Sequence, residues 1–336
     1  MKRYSIGLIG FSQGYYATKY TTYLSRLKEV EIIGCCDFGR SDAYTLECAF
    51  VTAEAFCEKL SAPLFHDMES LLALSPDAVL VCSETHEHVQ HAIASMEAGA
   101  DVFIAKPASF CPEDINTLKA AAEKTGRRVV SGQPLRYESG MQEMQKAIGS
   151  GKIGRITHLH LQVNHTAMIH QVWERDVKRS GGPLGTFGIY LFDTISMLCD
   201  LRVRELFAHG DRLVFEQING VDTVHVGAVL ENGALASLDL ISTMQWDCPF
   251  VQIQVTGERG HIQGEYDNYS YTLVGQEGVR QGRLRTADMG VGEMEHFLAC
   301  LRGEARPEPS LEDMLYITRG IQAIQTSIDT GTRRYL

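Results

Sequence analysis

In the N-terminal part of the chain, short apolar runs alternate with stretches of helical periodicity. Residues 5–10, 30–37, 77–82, 101–105 and 128–131 read as buried strands, because apolar side chains fill most positions rather than every second one. Residues 15–27, 43–60, 87–98 and 112–125 repeat their apolar positions every three or four residues and read as helices. Gly99 stands where a helix closes. This order predicts right-handed crossovers and a parallel sheet covered by helices on both faces.

The pattern changes after about Gly140. Residues 156–163 alternate, with Ile156, His158, His160 and Gln162 against Thr157, Leu159, Leu161 and Val163. Such a period predicts a strand with one wet face. Further strand patterns fall at 205–209, 223–231, 234–242, 251–256 and 261–265. Glu231-Asn232-Gly233-Ala234 and Gly257-Glu258-Arg259-Gly260 carry hairpin-turn chemistry. A mostly antiparallel sheet is expected here, and the chain from about Glu293 is helical again. The fold class is therefore α/β: a doubly wound parallel sheet, then an α+β domain. The domains are expected at residues 1–132 and 133–336, with the closing helix free to pack back on the first.

Composition narrows the function classes. A formal net charge of −11 over 336 residues argues against a nucleic-acid or anionic-membrane partner, since either needs a basic face. The apolar run near the start is short and broken by glycine, as in a first strand rather than a secretion signal. No stretch approaches a membrane span. The nine cysteines are scattered without a C-x-x-C pair, a usage expected of reduced thiols in a cytoplasmic protein.

A strand that ends in glycine and opens a helix can bind a pyrophosphate, because its amides and the helix N-terminus favour negative charge. The segment here is Gly10-Phe11-Ser12-Gln13-Gly14-Tyr15. Against the G-x-G-x-x-G of a Rossmann domain, only Gly10 is in register. Ser12 takes the middle place and Tyr15 the last, while Gly14 would restore some freedom of backbone approach. The other reading is a plain strand–helix turn. Asp37 closes the second apolar run, where an acid accepts from the ribose hydroxyls of NAD and repels a 2′-phosphate. Arg40 nearby could receive that phosphate, so NAD is expected and NADP stays open. The plainer readings are a loop-capping acid and a solvated surface charge.

Three further segments carry chemistry. Ser83-Glu84-Thr85-His86-Glu87-His88 follows the third strand, where ligands of open α/β sheets sit. The spacing of His86, His88 and His91 does not suit a metal, and none is expected. Lys106, at the end of another strand before Pro107, could polarise or protonate a substrate oxygen. Pro107 would pin the backbone, in a cis bond if the turn is tight. If residues from 184 onward form one helix, Thr186, Tyr190 and Asp193 share a face and could orient a polyol. A nearby lysine would favour the Tyr190 phenolate as proton shuttle. The alternative for Tyr190 is an ordinary core tyrosine.

Taken in order, these segments resemble the Gfo/Idh/MocA family (glucose–fructose oxidoreductase, inositol dehydrogenase, rhizopine catabolism protein), nearly end to end. Ser83, Glu84 and His88 match its T-P-x-x-x-H, and Ala105-Lys106-Pro107 its E-K-P. Gly132-Gln133-Pro134-Leu135-Arg136-Tyr137 matches G-x-x-x-R-[YF], and Gly151-Lys152-Ile153-Gly154 matches G-x-I-G. Residues 181–193 match G-G-x-L-x-D-x-G-x-H-x-x-D. The segments from Glu293 to Leu298 and from Pro309 to Asp313 look like its closing helices. The resemblance implies a Rossmann domain, a second domain with a large open sheet, a homodimer or homotetramer, and hydride exchange with a sugar, cyclitol or related polyol. It assigns Lys106 to the family lysine and Tyr190 to the family histidine, which some branches replace by tyrosine. Gln133 would border the cofactor. Arg136, His165, Trp173, Thr186 and Asp193 would shape the substrate pocket. Thr186 and Ala105 depart from the family's aspartate and glutamate. Two other readings follow from these departures: a dinucleotide-binding sensor or assembly protein without turnover, and a redox-assisted glycosidase using NAD.

Overall fold

Six parallel strands organise the first part of the computed structural model, which describes residues 2–165, 171–244, 248–265, 270–275, 278–283 and 290–336. They are β1 (Tyr4–Ile9), β2 (Val30–Cys36), β3 (Leu64–Phe65), β4 (Ala78–Val81), β5 (Asp101–Ile104) and β6 (Val129–Ser131). Their order, 3-2-1-4-5-6, is that of a Rossmann sheet, with the strand order reversing between β1 and β4. The unit comprises Met1–Gln133 together with Gly290–Leu315.

The helices connecting these strands are α1 (Gly14–Ser25), α2 (Asp42–Ala49), α3 (Ala53–Leu60), α4 (Met68–Leu72), α5 (His88–Glu97) and α6 (Pro112–Thr125). Successive strand residues enter opposite cores. Ile6, Leu8 and Leu80 join Tyr20, Leu24, Phe56 and Phe297 on one face. Ile9, Val79 and Val81 join Val89, Met96, Ile115 and Leu118 on the other. Burying each large apolar side chain contributes about 1.5–3 kcal/mol. β4 and β5 are buried at every position, which is why residues 78–81 and 102–104 read as unbroken apolar runs.

The helix expected over 43–60 is two helices. Phe50 adopts a left-handed conformation, and Thr52 caps α3 by accepting from the Ala55 amide. The short β3 and α4 were not expected.

The second unit, Pro134–Met289 with Tyr316–Leu336, opens with α7 (Ser139–Gly149). There follow β7 (Ile156–Asn164), α8 (Val177–Ser180), α9 (Gly182–Phe187), α10 (Ile189–Cys199), β8 (Val203–Asp211), β9 (Thr223–Leu230), β10 (Leu235–Ile241), β11 (Val251–Gly257), β12 (Gly260–Glu265), β13 (Ser270–Gly275) and β14 (Gly278–Arg283). The chain then runs through α11 (Val291–Arg302), which belongs to the first unit, and α12 (Leu311–Thr330) to β15 (Arg334–Tyr335). The sheet order is 14-13-12-11-7-10-9-8-15, and β7 with β10 is its parallel pair. The rest is antiparallel, the mostly antiparallel open sheet expected from the hairpin pattern. Leu159, Leu161, Val226, Leu238 and Val255 face inward beneath Met144, Ile148, Leu191 and Ile195 of α7 and α10. Among the described residues no helix is long and apolar enough to cross a membrane.

Candidate functional site

The chain's direction reverses at Gly10, the residue after β1. Its φ is +84°, and a Cβ there would lie 2.5 Å from the Ser83 Cα. Any other side chain would meet strain and collision together. The Gly10 amide donates to Cys36 O at 2.8 Å and the Gln13 amide to Cys82 O at 2.9 Å, strapping the turn to the ends of β2 and β4. Helix α1 has no acid in its first turn and no side-chain cap, so its positive end suits an anion.

Packing decides the roles of two residues of this turn, and for Gly14 it corrects the expectation. Phe11 is buried edge-on against Phe56 at 5.9 Å between ring centroids, so only its backbone can serve a ligand. Gly14 is the first residue of α1, and a Cβ there would stand 2.0 Å from Cys48 O. It lets α1 pack on α2 rather than easing the backbone towards a phosphate.

Ser12, in the place of the middle glycine, shares a hydrogen bond of 2.8 Å with the Tyr44 hydroxyl. Tyr44 donates to Glu84 Oε1 at 2.6 Å. Burial and this contact push the Tyr44 phenol far above its ordinary range, so its proton stays on and Ser12 is the donor to Tyr44. Sequence reasoning missed Tyr44, since one half-buried tyrosine on a short helix gives no signal. Gln13 Nε2 donates to Thr85 Oγ1 at 3.3 Å.

Asp37, just past β2, is buried. Its Oδ1 accepts from the Gly39 amide at 2.8 Å and meets His66 Nδ1 at 2.7 Å. Arg40 Nη2 lies 3.7 Å from Glu84 Oε1 and 3.4 Å from Glu87 Oε1, and its guanidinium covers the Tyr44 ring. Arg40 is thus neutralised by two carboxylates. His88 sits between the Pro107 and Ser83 carbonyls, at 2.9 and 3.0 Å from its Nδ1 and Nε2. Burial pushes its imidazole down to about 4, so the neutral ring donates to one carbonyl only. His91 meets Ser83 Oγ at 2.9 Å and stacks on Phe38. Among the described residues, no group of His, Cys, Asp or Glu is arranged to hold a metal.

Lys106 follows β5, and its peptide bond to Pro107 is cis. Its side chain is mostly buried. Gln133, two residues past β6, donates its amide to Glu293 Oε1 at 2.5 Å. Gly10, Ser83, Lys106 and Gln133 thus all follow the carboxyl ends of parallel strands, on one edge of the sheet. The orphaned Gln133 Oε1 and the tight turn at Gly10 fit a dinucleotide whose phosphates meet the turn.

In the second unit the expected continuous helix is interrupted at Gly188, between α9 and α10. Thr186, on α9, donates to Ser180 O at 3.3 Å. Asp193 is tied to Arg136, with Nη2 and Oδ1 2.7 Å apart. Of the three polar groups expected to converge on a polyol, Thr186 and Asp193 therefore have partners within the fold. Tyr190 is buried against Phe250, edge-on at 5.1 Å, and Phe187 stacks on His165 at 4.2 Å. Phe187 and Phe250 were not singled out in the sequence, yet they join His165 to Tyr190. Trp173 is buried, donating from Nε1 to Gln171 Oε1 at 2.5 Å.

Residues 4–133 match the model of an oxidoreductase family with an NAD-binding Rossmann fold, and residues 141–263 match the GFO/IDH/MocA C-terminal domain. The chain belongs to the Gfo/Idh/MocA family of oxidoreductases. Among curated members, a myo-inositol 2-dehydrogenase from Thermotoga maritima is 28% identical over 70% of this chain and 73% of its own. A D-glucoside 3-dehydrogenase from Escherichia coli is 26% identical over 94% of this chain and 92% of its own. The solved WlbA dehydrogenase from Bordetella pertussis, in complex with NADH and UDP-GlcNAcA, superposes with a TM-score of 0.83 at 22% identity, covering 100% of this chain and 99% of that one. In this Gfo/Idh/MocA chain, Ser12, Ala105 and Thr186 depart from the family's motifs.

Proposed function

We propose that the protein is an NAD-dependent dehydrogenase acting on a secondary alcohol of a sugar, cyclitol or related polyol. The observation that carries the cofactor choice is the end of β2. Asp37 stands there buried, while Arg40, the residue that could receive a 2′-phosphate, is paired with Glu84 and Glu87. An acid offers acceptors to ribose hydroxyls and repels a phosphate. The turn from Gly10 to Gln13 and the N-terminus of α1 would hold the pyrophosphate. The substrate class is supported by the inositol and glucoside dehydrogenases the chain resembles.

Bound nicotinamide supplies the hydride acceptor. Lys106 would hold the substrate oxygen by donating from Nζ, and Tyr190, as the phenolate, would take the hydroxyl proton at its oxygen. His88, neutral, holds the backbone on either side of its ring rather than moving protons.

The test is a titration with NAD and NADP followed by turnover on a panel of cyclitols and glucosides, read by reduced-nicotinamide absorbance. NAD should bind at least about ten-fold tighter than NADP. Lys106→Ala and Tyr190→Phe should each lower kcat by about 10²–10⁴-fold with little change in NAD affinity. Parent-like turnover in both variants would refute these roles. Tight NAD binding with no turnover on any alcohol would support a sensor instead.

A further inference from the structure

We propose that the side-chain amide of Gln133 pairs with the carboxamide of bound nicotinamide, and that Glu293 and Tyr20 hold Gln133 in place to do so. The inference rests on the reading of the chain as nicotinamide-dependent and adds a residue that fixes the ring.

Gln133 is 3% exposed, and its Oε1 has no hydrogen-bond partner among the described residues. A buried amide oxygen without a donor is costly, and native folds tolerate it chiefly where a ligand or water completes it. The residue is also held firmly. Glu293, from α11, accepts from the backbone N–H of Gln133 on Oε1 and from the Tyr20 hydroxyl on Oε2. Burial, then the Glu293 charge, pushes the Tyr20 phenol well above its ordinary range, so Tyr20 stays protonated and keeps donating. The clamp joins three segments far apart in sequence.

Its position suits the ring end of a dinucleotide. A Cβ on Gly132 would lie 3.2 Å from the Lys106 amide nitrogen, 3.5 Å from Lys106 Cβ and 3.5 Å from Glu293 Oε1. The backbone before Gln133 therefore runs close against that of Lys106. A primary carboxamide both donates and accepts, as does a glutamine amide, so the two match whichever way the glutamine is turned. The carboxamide sits on the carbon next to the one that accepts hydride, so holding it decides which face of the ring the substrate meets.

The test is calorimetric titration of the full chain and of Gln133→Met with three ligands: NAD, ADP-ribose, and 3-acetylpyridine adenine dinucleotide, which has a methyl ketone in place of the carboxamide. The parent should bind NAD about ten-fold tighter than the acetylpyridine analogue. Gln133→Met should lose that difference while binding ADP-ribose as the parent does, which also shows that it is folded. If the variant fails to fold, the two ligands compared on the parent decide the matter. Equal binding of NAD and the analogue by the parent would overturn the proposal, as would equal weakening of NAD and ADP-ribose in a folded variant. A parent that binds neither NAD nor ADP-ribose would overturn the nicotinamide reading itself, and this inference with it.

Discussion

Arg136 and Asp193 hold each other through three contacts, with Arg136 Nε 2.9 and 3.2 Å from the two carboxylate oxygens and Nη2 2.7 Å from Oδ1. The Asp193 side chain is 1% exposed and that of Arg136 13%. Removing either charge strands the other out of water, which typically costs 3–5 kcal/mol. Asp193→Asn and Arg136→Met should each lower the unfolding free energy by about that amount, read from the urea midpoint at constant slope. A loss below about 1 kcal/mol would mean that the pair is solvated as a surface bridge is.

Tyr44 links Ser12 of the glycine turn to Glu84 after β4. Tyr44→Phe removes one oxygen and leaves both neighbours short of a partner. The loss should be about 1.5–3 kcal/mol of stability, the range for a hydrogen bond to a charged group. NAD binding should weaken as well, because the turn loses its tether. Phenylalanine at 44 with parent-like stability and parent-like NAD affinity would show that the tether is idle.

Acid should destabilise the first unit before its carboxylates titrate. Burial pushes both His88 and His91 down to about 4, against an ordinary value near 6.5. In the unfolded chain both take up protons near pH 6.5, while in the folded chain they stay neutral to about pH 4. Between these limits the unfolded state binds more protons, so stability is full above about pH 6.5 and falls as pH drops towards 4. The loss is on the order of 3 kcal/mol for each ring. Urea unfolding at intervals from pH 7.5 to 4.5 reads it, and His91→Gln should flatten part of the slope. Stability that does not fall over this range would show that the folded rings are charged.

The strands of the parallel sheet were legible because burial on both faces leaves continuous apolar runs, as in Ala78–Val81. The division between α2 and α3 was less so. The apolar period continues past Phe50, and only the cap at Thr52 marks the break. Helix α7 did carry a signal, in Met141, Met144 and Ile148, which are buried on one side. Motif residues such as Gly10, Asp37 and Lys106 could be picked out by their place at strand ends. Their partners could not. Tyr44 meets Glu84 from 40 positions away, and Glu293 meets Gln133 from 160. Those pairings follow from how helices land on the sheet, which local periodicity does not encode. Arg136 and Asp193 show the reverse case, since polar motif residues expected to face a substrate face each other.

Gly14 offers a change whose sign separates local propensity from packing. Inside an exposed helix, glycine to alanine gains about 0.5–1 kcal/mol. Gly14 is buried in α1, and an added Cβ would lie 2.0 Å from Cys48 O and 2.4 Å from Ala49 Cα. Both are backbone atoms of α2, which cannot swing aside as a side-chain tip can. Gly14→Ala must therefore part the two helices, at a cost of roughly 1–3 kcal/mol or more as for other overpacked sites. Because Tyr44 rides on α2, the separation should also stretch its contacts to Ser12 and Glu84. The expected result is a lower melting temperature together with weaker NAD binding. Thr22→Ala, an increase in helix propensity two turns further along the same helix, serves as the control, and a stabilised Gly14→Ala would show that the helices part at no cost.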